Sequence, residues 1–181
     1  MTAGYEAVLG FWFRELEPKQ WFIRDQDLDQ RVAEEFGALH VRASHCERFD
    51  WRTTSRGRLA EIIVLDQFSR NIHRDRPGAF ACDGMALALA QEAVAAGADR
   101  ELTPQERGFL YMPYMHSESA AIHVIACELY DQEGLEYNLE FEIKHKEIID
   151  RFGRYPHRNE ILGRESTAEE RAFLQQPGSS F

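Results

Sequence analysis

Apolar residues recur at helical spacing along nearly the whole chain, and the strict alternation of a half-buried strand is absent. Tyr5, Val8, Leu9, Trp12 and Leu16 form a first stripe, which Pro18 ends. Leu28, Val32, Phe36, Leu39 and Ala43 form a second. Asp25 or Asp27 is placed to cap it, since a short carboxylate accepts the free N–H groups of a first turn. A third helix is predicted over about residues 55–70 and an alanine-rich fourth over 83–96, which Gly97 can close in the left-handed conformation. Thr103-Pro104-Gln105-Glu106 reads as a capping box with proline at the first helical position. Further helices are predicted over 117–132, 135–152 and, briefly, 158–162; Thr167 and Glu170 make a second capping box for a last helix over 167–175. The pattern predicts an all-α fold of eight or nine helices, forming a single domain over residues 1–181.

One phrase nearly repeats. Asp66-Gln67-Phe68-Ser69-Arg70 recurs as Asp150-Arg151-Phe152-Gly153-Arg154, each copy preceded by two isoleucines (Ile62-Ile63, Ile148-Ile149). An Arg-Asn pair lies in or just after each copy, Arg70-Asn71 and Arg158-Asn159. The helix around 59–70 is apolar on nearly every side, so it is predicted to be buried. Asp66 and Arg70 stand four apart on it, the spacing of an ion pair. That pair is either a structural element of the core or a device by which Asp66 aims Arg70 at a ligand. His145 shares a face with Phe141, Ile148 and Phe152 and reads as a hydrogen-bonded core histidine.

Two further clusters carry polar chemistry. Residues 151–164 hold Arg151, Arg154, Arg158, Arg164 and His157 between Gly153, Pro156 and Gly163, which mark changes of chain direction. They suit an anion, or they neutralise nearby carboxylates. Tyr111-Met112-Pro113-Tyr114-Met115-His116-Ser117-Glu118 is read as the entry to the next helix. There His116 or Ser117 caps it and Glu118 favours the helix dipole; alternatively His116 and Glu118 exchange a proton.

Composition narrows the partners. The formal net charge is -10, which excludes a nucleic-acid backbone or an anionic membrane surface as a general partner. Of 21 basic residues only three are lysine, and arginine is the side chain whose planar fork best holds carboxylates and phosphates. Three scattered cysteines without C-x-x-C suit reduced thiols, and no signal segment or membrane span is discernible, so a cytoplasmic location is predicted. His116, His123 and Cys127 share a helical stripe, but two turns separate the first two by ~10 Å, too far for one tetrahedral zinc. H-E-x-x-H, the P-loop, G-x-G-x-x-G and G-x-S-x-G are all absent. No metal and no cofactor is predicted, and the oligomeric state is open.

Several long segments carry a family resemblance: Val8-Leu9-Gly10-Phe11-Trp12-Phe13, Leu65-Asp66-Gln67-Phe68-Ser69-Arg70-Asn71, Tyr111-Met112-Pro113, His116-Ser117-Glu118, the run from Arg151 to Asn159, and Leu162-Gly163-Arg164-Glu165-Ser166-Thr167. From about residue 7 onward the chain resembles an uncharacterised bacterial family, the domain of unknown function nine-two-four. The resemblance implies a tetratricopeptide-repeat-like, right-handed superhelical array. It implies no activity, substrate or cofactor. The family's signature polar residues fall here on Asp66, Gln67, Arg70, Asn71, His116, Glu118, Arg154, His157, Arg158, Asn159, Arg164 and Glu165. This chain departs from the pattern at His123, where glutamine is usual, and at Ser119, where an acidic residue is common.

Three functions compete. In the first, Arg70, Arg154 and Arg158 bind a small carboxylate or phosphate, Asn71 and Asn159 orient it, and His116 or His157 works with Glu118 in hydrolase or transferase chemistry. In the second, the helical array grips a peptide or protein partner, anchored by Trp12, Phe13, Trp21 and Phe22. In the third, the signature residues form a purely structural buried ionic network.

Overall fold

The structure is a computed structural model that describes residues 4–179. It is all-α: the described residues contain no strand. Helix α1 covers Tyr5–Gly10 and continues through a π-helical turn, Phe11–Glu15; α2 covers Gln26–Ser44. Helix α3 runs over Ser55–Ile63, widens into a π-helical turn at Val64–Phe68 and ends as Ser69–Ile72. There follow α4 (Asp83–Ala95), α5 (Pro104–Met115), α6 (Ala120–Tyr130), α7 (Glu136–Phe152) and α8 (Ala168–Phe173). Short 3-10 turns, among them Pro77–Phe80 and Pro156–Arg158, join them. No helix of the described residues is long and apolar enough to cross a membrane.

The caps follow the local chemistry. The Asp25 carboxylate accepts the N–H groups of Asp27 and Leu28. Thr103 with Glu106, and Thr167 with Glu170, form complete capping boxes. Gly97 takes φ 71° just beyond α4, the left-handed position only glycine reaches without strain.

Helix α3 is the centre. Leu59, Ile62, Ile63, Val64, Leu65 and Phe68 are all buried. The Phe68 ring meets those of Phe36 at 4.9 Å, Trp12 at 5.6 Å and Phe11 at 6.0 Å, joining α1, α2 and α3. On its other side the small buried residues Ala86, Ala90 and Ala93 of α4 let that helix lie close. Each large apolar side chain so buried contributes roughly 1.5–3 kcal/mol. One close approach depends on a missing side chain: a Cβ on Gly57 would sit 2.1 Å from the Trp51 carbonyl oxygen. Gly57→Ala is therefore expected to cost roughly 1–3 kcal/mol, since backbone has to move; denaturant unfolding at wild-type stability would contradict this.

Two boundaries differ from the periodicity. Helix α6 starts at Ala120, not 117, because α5 continues past its internal Pro113 and its last turn closes with His116 N–H on Met112 O at 3.0 Å. The segment read as the entry to a helix is thus the end of the one before it. Ser117 Oγ accepts the Ser119 N–H at 3.2 Å inside the connecting loop and does not cap α6. The short helix predicted over 158–162 is reduced to the turn Pro156–Arg158. Arg164 N–H reaches back to Asn159 O at 2.8 Å across Gly163 at φ 66°, which closes a loop where a helix would have continued.

Candidate functional site

The π-helical turn of α3 carries Asp66 and Gln67, and such turns are frequent where helices build functional sites. The Asp66 side chain is 1% exposed and surrounded by donors. Gln67 Nε2 donates to Oδ2 at 2.5 Å, Arg70 Nη1 to Oδ1 at 3.1 Å, and His116 Nδ1 lies 2.7 Å from Oδ1. Burial by itself raises this carboxyl, but Arg70 and His116 outweigh it and hold the group well below the usual carboxylate range.

Arg70 shares Nη1 between Asp66 and Asp83, the first residue of α4, and gives Asp83 its Nη2 as well, with Nη1–Oδ1 3.0 Å and Nη2–Oδ2 3.1 Å. Arg158 Nη1 reaches the same carboxylate at 3.2 Å, and its Nη2 donates to the backbone oxygen of His116 at 3.0 Å. The chain of contacts closes on itself: His116, Asp66, Arg70, Asp83, Arg158 and back to His116. Aromatic faces flank the cations. Arg158 lies 4.6 Å from the centroids of both Phe80 and Tyr155, and Arg70 lies 5.7 Å from that of Phe80.

His116 is pinned twice. Its backbone ends α5, and three successive carbonyls there take side-chain donors. Tyr155 Oη donates to Met115 O at 2.5 Å, Arg158 Nη2 to His116 O, and His123 Nε2 to Ser117 O at 2.8 Å. These are carbonyls a helix end leaves without intrahelical partners. Its ring is held by Asp66 through Nδ1, and among the described residues Nε2 has no hydrogen-bond partner. Burial, with Arg70 adding to it, moves the imidazole below its ordinary value against the pull of Asp66, so it is neutral at pH 7. A neutral ring whose Nδ1–H is donated to a carboxylate carries its lone pair on Nε2. His116 lines a cleft of about 370 Å³ with Asp83, Ser117, Glu118 and Arg158. Pro77, Phe80, Leu87, Pro113 and Leu162 form its apolar walls.

The other predicted residues divide. Glu118 also lines the cleft but pairs with Arg164 (2.6 and 2.9 Å) and takes the Tyr155 N–H at 2.7 Å. Burial raises its carboxyl, yet those donors hold it below the ordinary value, and its place as partner of His116 is taken by Asp66. Asn159 accepts from Arg164 Nε at 2.9 Å and donates to Ser166 Oγ at 3.1 Å; it braces the loop behind Glu118. His157 is pushed down to about 4 by burial and by Arg158, so it is a neutral ring beside the network. Asn71 lies elsewhere, donating to Asp29 of α2 at 2.8 Å beside Arg74. Arg154 also stands apart: it grips Glu170 of α8 at 2.7 and 2.9 Å. Asp150 pairs with Lys146 on the surface. The second copy of the repeated phrase is therefore not a second Asp66–Arg70. Gly153, at φ 68°, ends α7 between Asp150 and Arg154 and removes the helical spacing that pairs the first copy. The residue that sequence reasoning missed is Asp83; its one signal was an acidic side chain opening a helix, which caps explain equally well.

The remaining histidines and aromatics settle into the core or its rim. His123 Nδ1 meets Glu142 at 2.6 Å, both fully buried, and His145 Nδ1 donates to Phe141 O at 2.7 Å. Trp12 is buried and stacks with Trp21; Phe22, 62% exposed, lies parallel to Phe109.

An all-helical protein with a carboxylate-held histidine on an arginine-bearing cleft is the class these observations define. Residues 8–178 match the family described as bacterial protein of unknown function, DUF924, and the chain belongs to that family. It is similar to a solved structure of a protein of unknown function from Agrobacterium tumefaciens. The two share 35% identity over 94% of this chain and 96% of that one, with a TM-score of 0.90. No curated protein matches.

Proposed function

We propose that the cleft binds a small anionic metabolite and that His116 acts there as a general base. The observation that carries this reading is that His116 lines the cleft with its Nδ1 held by fully buried Asp66, which leaves the lone pair of a neutral ring on Nε2. A base held in one tautomer by a carboxylate takes a proton from water or a substrate hydroxyl without first having to reorient. The cleft's size falls in the range of small-molecule sites, and its few convergent polar groups stand against apolar walls. Arg158, with Arg70 behind it, takes the ligand's acid group. Glu118 and Arg164 brace the rim. The chemistry this suits is hydrolysis or group transfer.

A thermal-shift screen of the purified protein against carboxylated and phosphorylated metabolites at fixed salt tests it. A ligand at ~100 times its Kd adds about 2.7 kcal/mol of apparent stability. Arg158→Met is expected to abolish the gain in melting temperature; His116→Gln is expected to keep binding and lose turnover. A flat wild-type screen sinks the reading. A second reading has its own observation: Asp66, Arg70, Asp83 and Arg158 satisfy one another's charges, as a purely structural network does. Under it the same variants lower stability and no metabolite changes the melting of the wild type.

A further inference from the structure

The carboxylate of Asp83 sits where two guanidinium groups converge, and its three contacts are loose. They measure 3.0, 3.1 and 3.2 Å. Three other half-buried two-point arginine–carboxylate pairs are tighter: 2.7 and 2.7 Å for Arg52–Glu61, 2.6 and 2.9 Å for Arg164–Glu118, and 2.7 and 2.9 Å for Arg154–Glu170. Charge-assisted N–H···O contacts settle near 2.7–2.9 Å when nothing holds them apart. Asp83 is tethered to the start of α4 and reaches both cations only by stretching. Arg158, only 6% exposed, keeps its Nε without an acceptor among the described residues. One donor of the pair of guanidinium groups is thus left over beside Asp83.

Around Asp83 the wall is open. Its side chain keeps 18% of its exposure and lines the cleft. Gly84 follows it, with nothing within 4 Å of where a Cβ would stand, and Cys82 before it makes no side-chain cap. The donor arrangement is that of a fork reading two coplanar oxygens: Arg70 offers Nη1 and Nη2 to Oδ1 and Oδ2, and Arg158 adds Nη1 to Oδ2. The ring of Phe80 flanks both guanidinium groups.

Resting on the anion-cleft reading above, we propose that Asp83 holds the position that the ligand's own carboxylate takes, so that the cleft selects a planar carboxylate and Asp83 yields to it. An untethered carboxylate closes on the same donors at shorter range than Asp83 achieves, and this gain drives the exchange. Asp83 meanwhile keeps two buried cations compensated and discourages weak anions from entering.

The test uses Asp83→Ala in the full chain, melted in chloride, acetate or inorganic phosphate at equal ionic strength and pH 7. Acetate is expected to raise its melting temperature saturably, with an apparent affinity at least ~10-fold tighter than for the wild type, a gain of about 1.4 kcal/mol. Phosphate is expected to do no more than chloride. An acetate effect no larger than that of chloride overturns the proposal, and phosphate rescue equal to acetate rescue overturns the planar class. Should the variant not fold in chloride, it is refolded from denaturant in each salt. Recovery in acetate alone supports the proposal, and failure in all three overturns it. The two readings fail separately: a flat wild-type screen rejects metabolite binding by the cleft, whereas absence of acetate rescue in Asp83→Ala rejects the carboxylate position.

Discussion

Acidification from pH 7 to pH 4 is expected to remove on the order of 5 kcal/mol of stability, because imidazoles are folded away in the neutral form, three of them in addition to His116. His40, against Ser69 Oγ at 2.7 Å, is pushed down to about 4 by burial and by His73. His145 is pushed down to about 3, chiefly by burial, with the Phe141 carbonyl opposing it. His157 falls to about 4 through burial and Arg158. In the unfolded chain each titrates near 6.5. Below that value the unfolded state takes up protons that the folded state refuses, so stability is full above pH 6.5 and falls as pH drops toward 4. The loss levels off once the folded rings themselves accept protons. A tenfold change in a ring's proton affinity is worth about 1.36 kcal/mol, which over these rings gives a loss of that order. Glu170, held at about 2 by Arg154, adds a loss in the same direction, but only as pH falls from its ordinary 4.5. Urea unfolding at pH 7, 6 and 5 separates the two, since Glu170 stays charged in that window; the Glu142 carboxyl, raised by burial, opposes the loss as pH falls. A stability that stays level from pH 7 to 5 would contradict the burial of these rings as neutral groups.

Asp66→Ala is expected to cost roughly 3–5 kcal/mol, because three groups lose an acceptor at once. Arg70 keeps Asp83 but loses the carboxylate four residues before it, and its side chain is only 20% exposed. His116 loses the acceptor that fixes its tautomer. Gln67, whose amide otherwise meets only Met112 Sδ at 3.2 Å, loses its strong acceptor too. Asp66→Asn keeps the shape and the Nδ1 acceptor while removing the charge, so it is expected to cost less and to leave Arg70 short of one negative partner. Denaturant titration of both variants checks this. A loss under about 1 kcal/mol for Asp66→Ala would mean that water reaches the network and screens it.

Most helices were legible because their signals are local. Asp25, Thr103 and Thr167 cap where their side chains are able to reach the next turn, and the apolar run around Leu59 to Phe68 has no face left for water. Boundaries failed where one helix end met the next: nothing local in His116-Ser117 says whether it closes α5 or opens α6, and long-range donors from Tyr155, Arg158 and His123 decide it. The site was half legible. Asp66 and Arg70 stood out on an apolar helix, His116 at a helix boundary and Arg158 in the arginine-rich run 151–164, and they meet. Arg154 and Asn71 stood out as well and do not, since convergence depends on how α7, α8 and α2 pack rather than on the residues themselves. Asp83 escaped because an acidic residue at a helix start has an ordinary explanation. The partner of His116 was sought two residues away, in Glu118; it lies 50 residues back, in Asp66.

Whether Asp66 holds His116 as a neutral base facing the cleft is read directly by two-bond 1H–15N spectra of the imidazoles at pH 7, assigned with His116→Gln. A neutral ring protonated at Nδ1, with an unprotonated Nε2, is the expected result. An imidazolium at pH 7, with both nitrogens protonated, would make His116 a structural partner of Asp66 and rule out its role as a base.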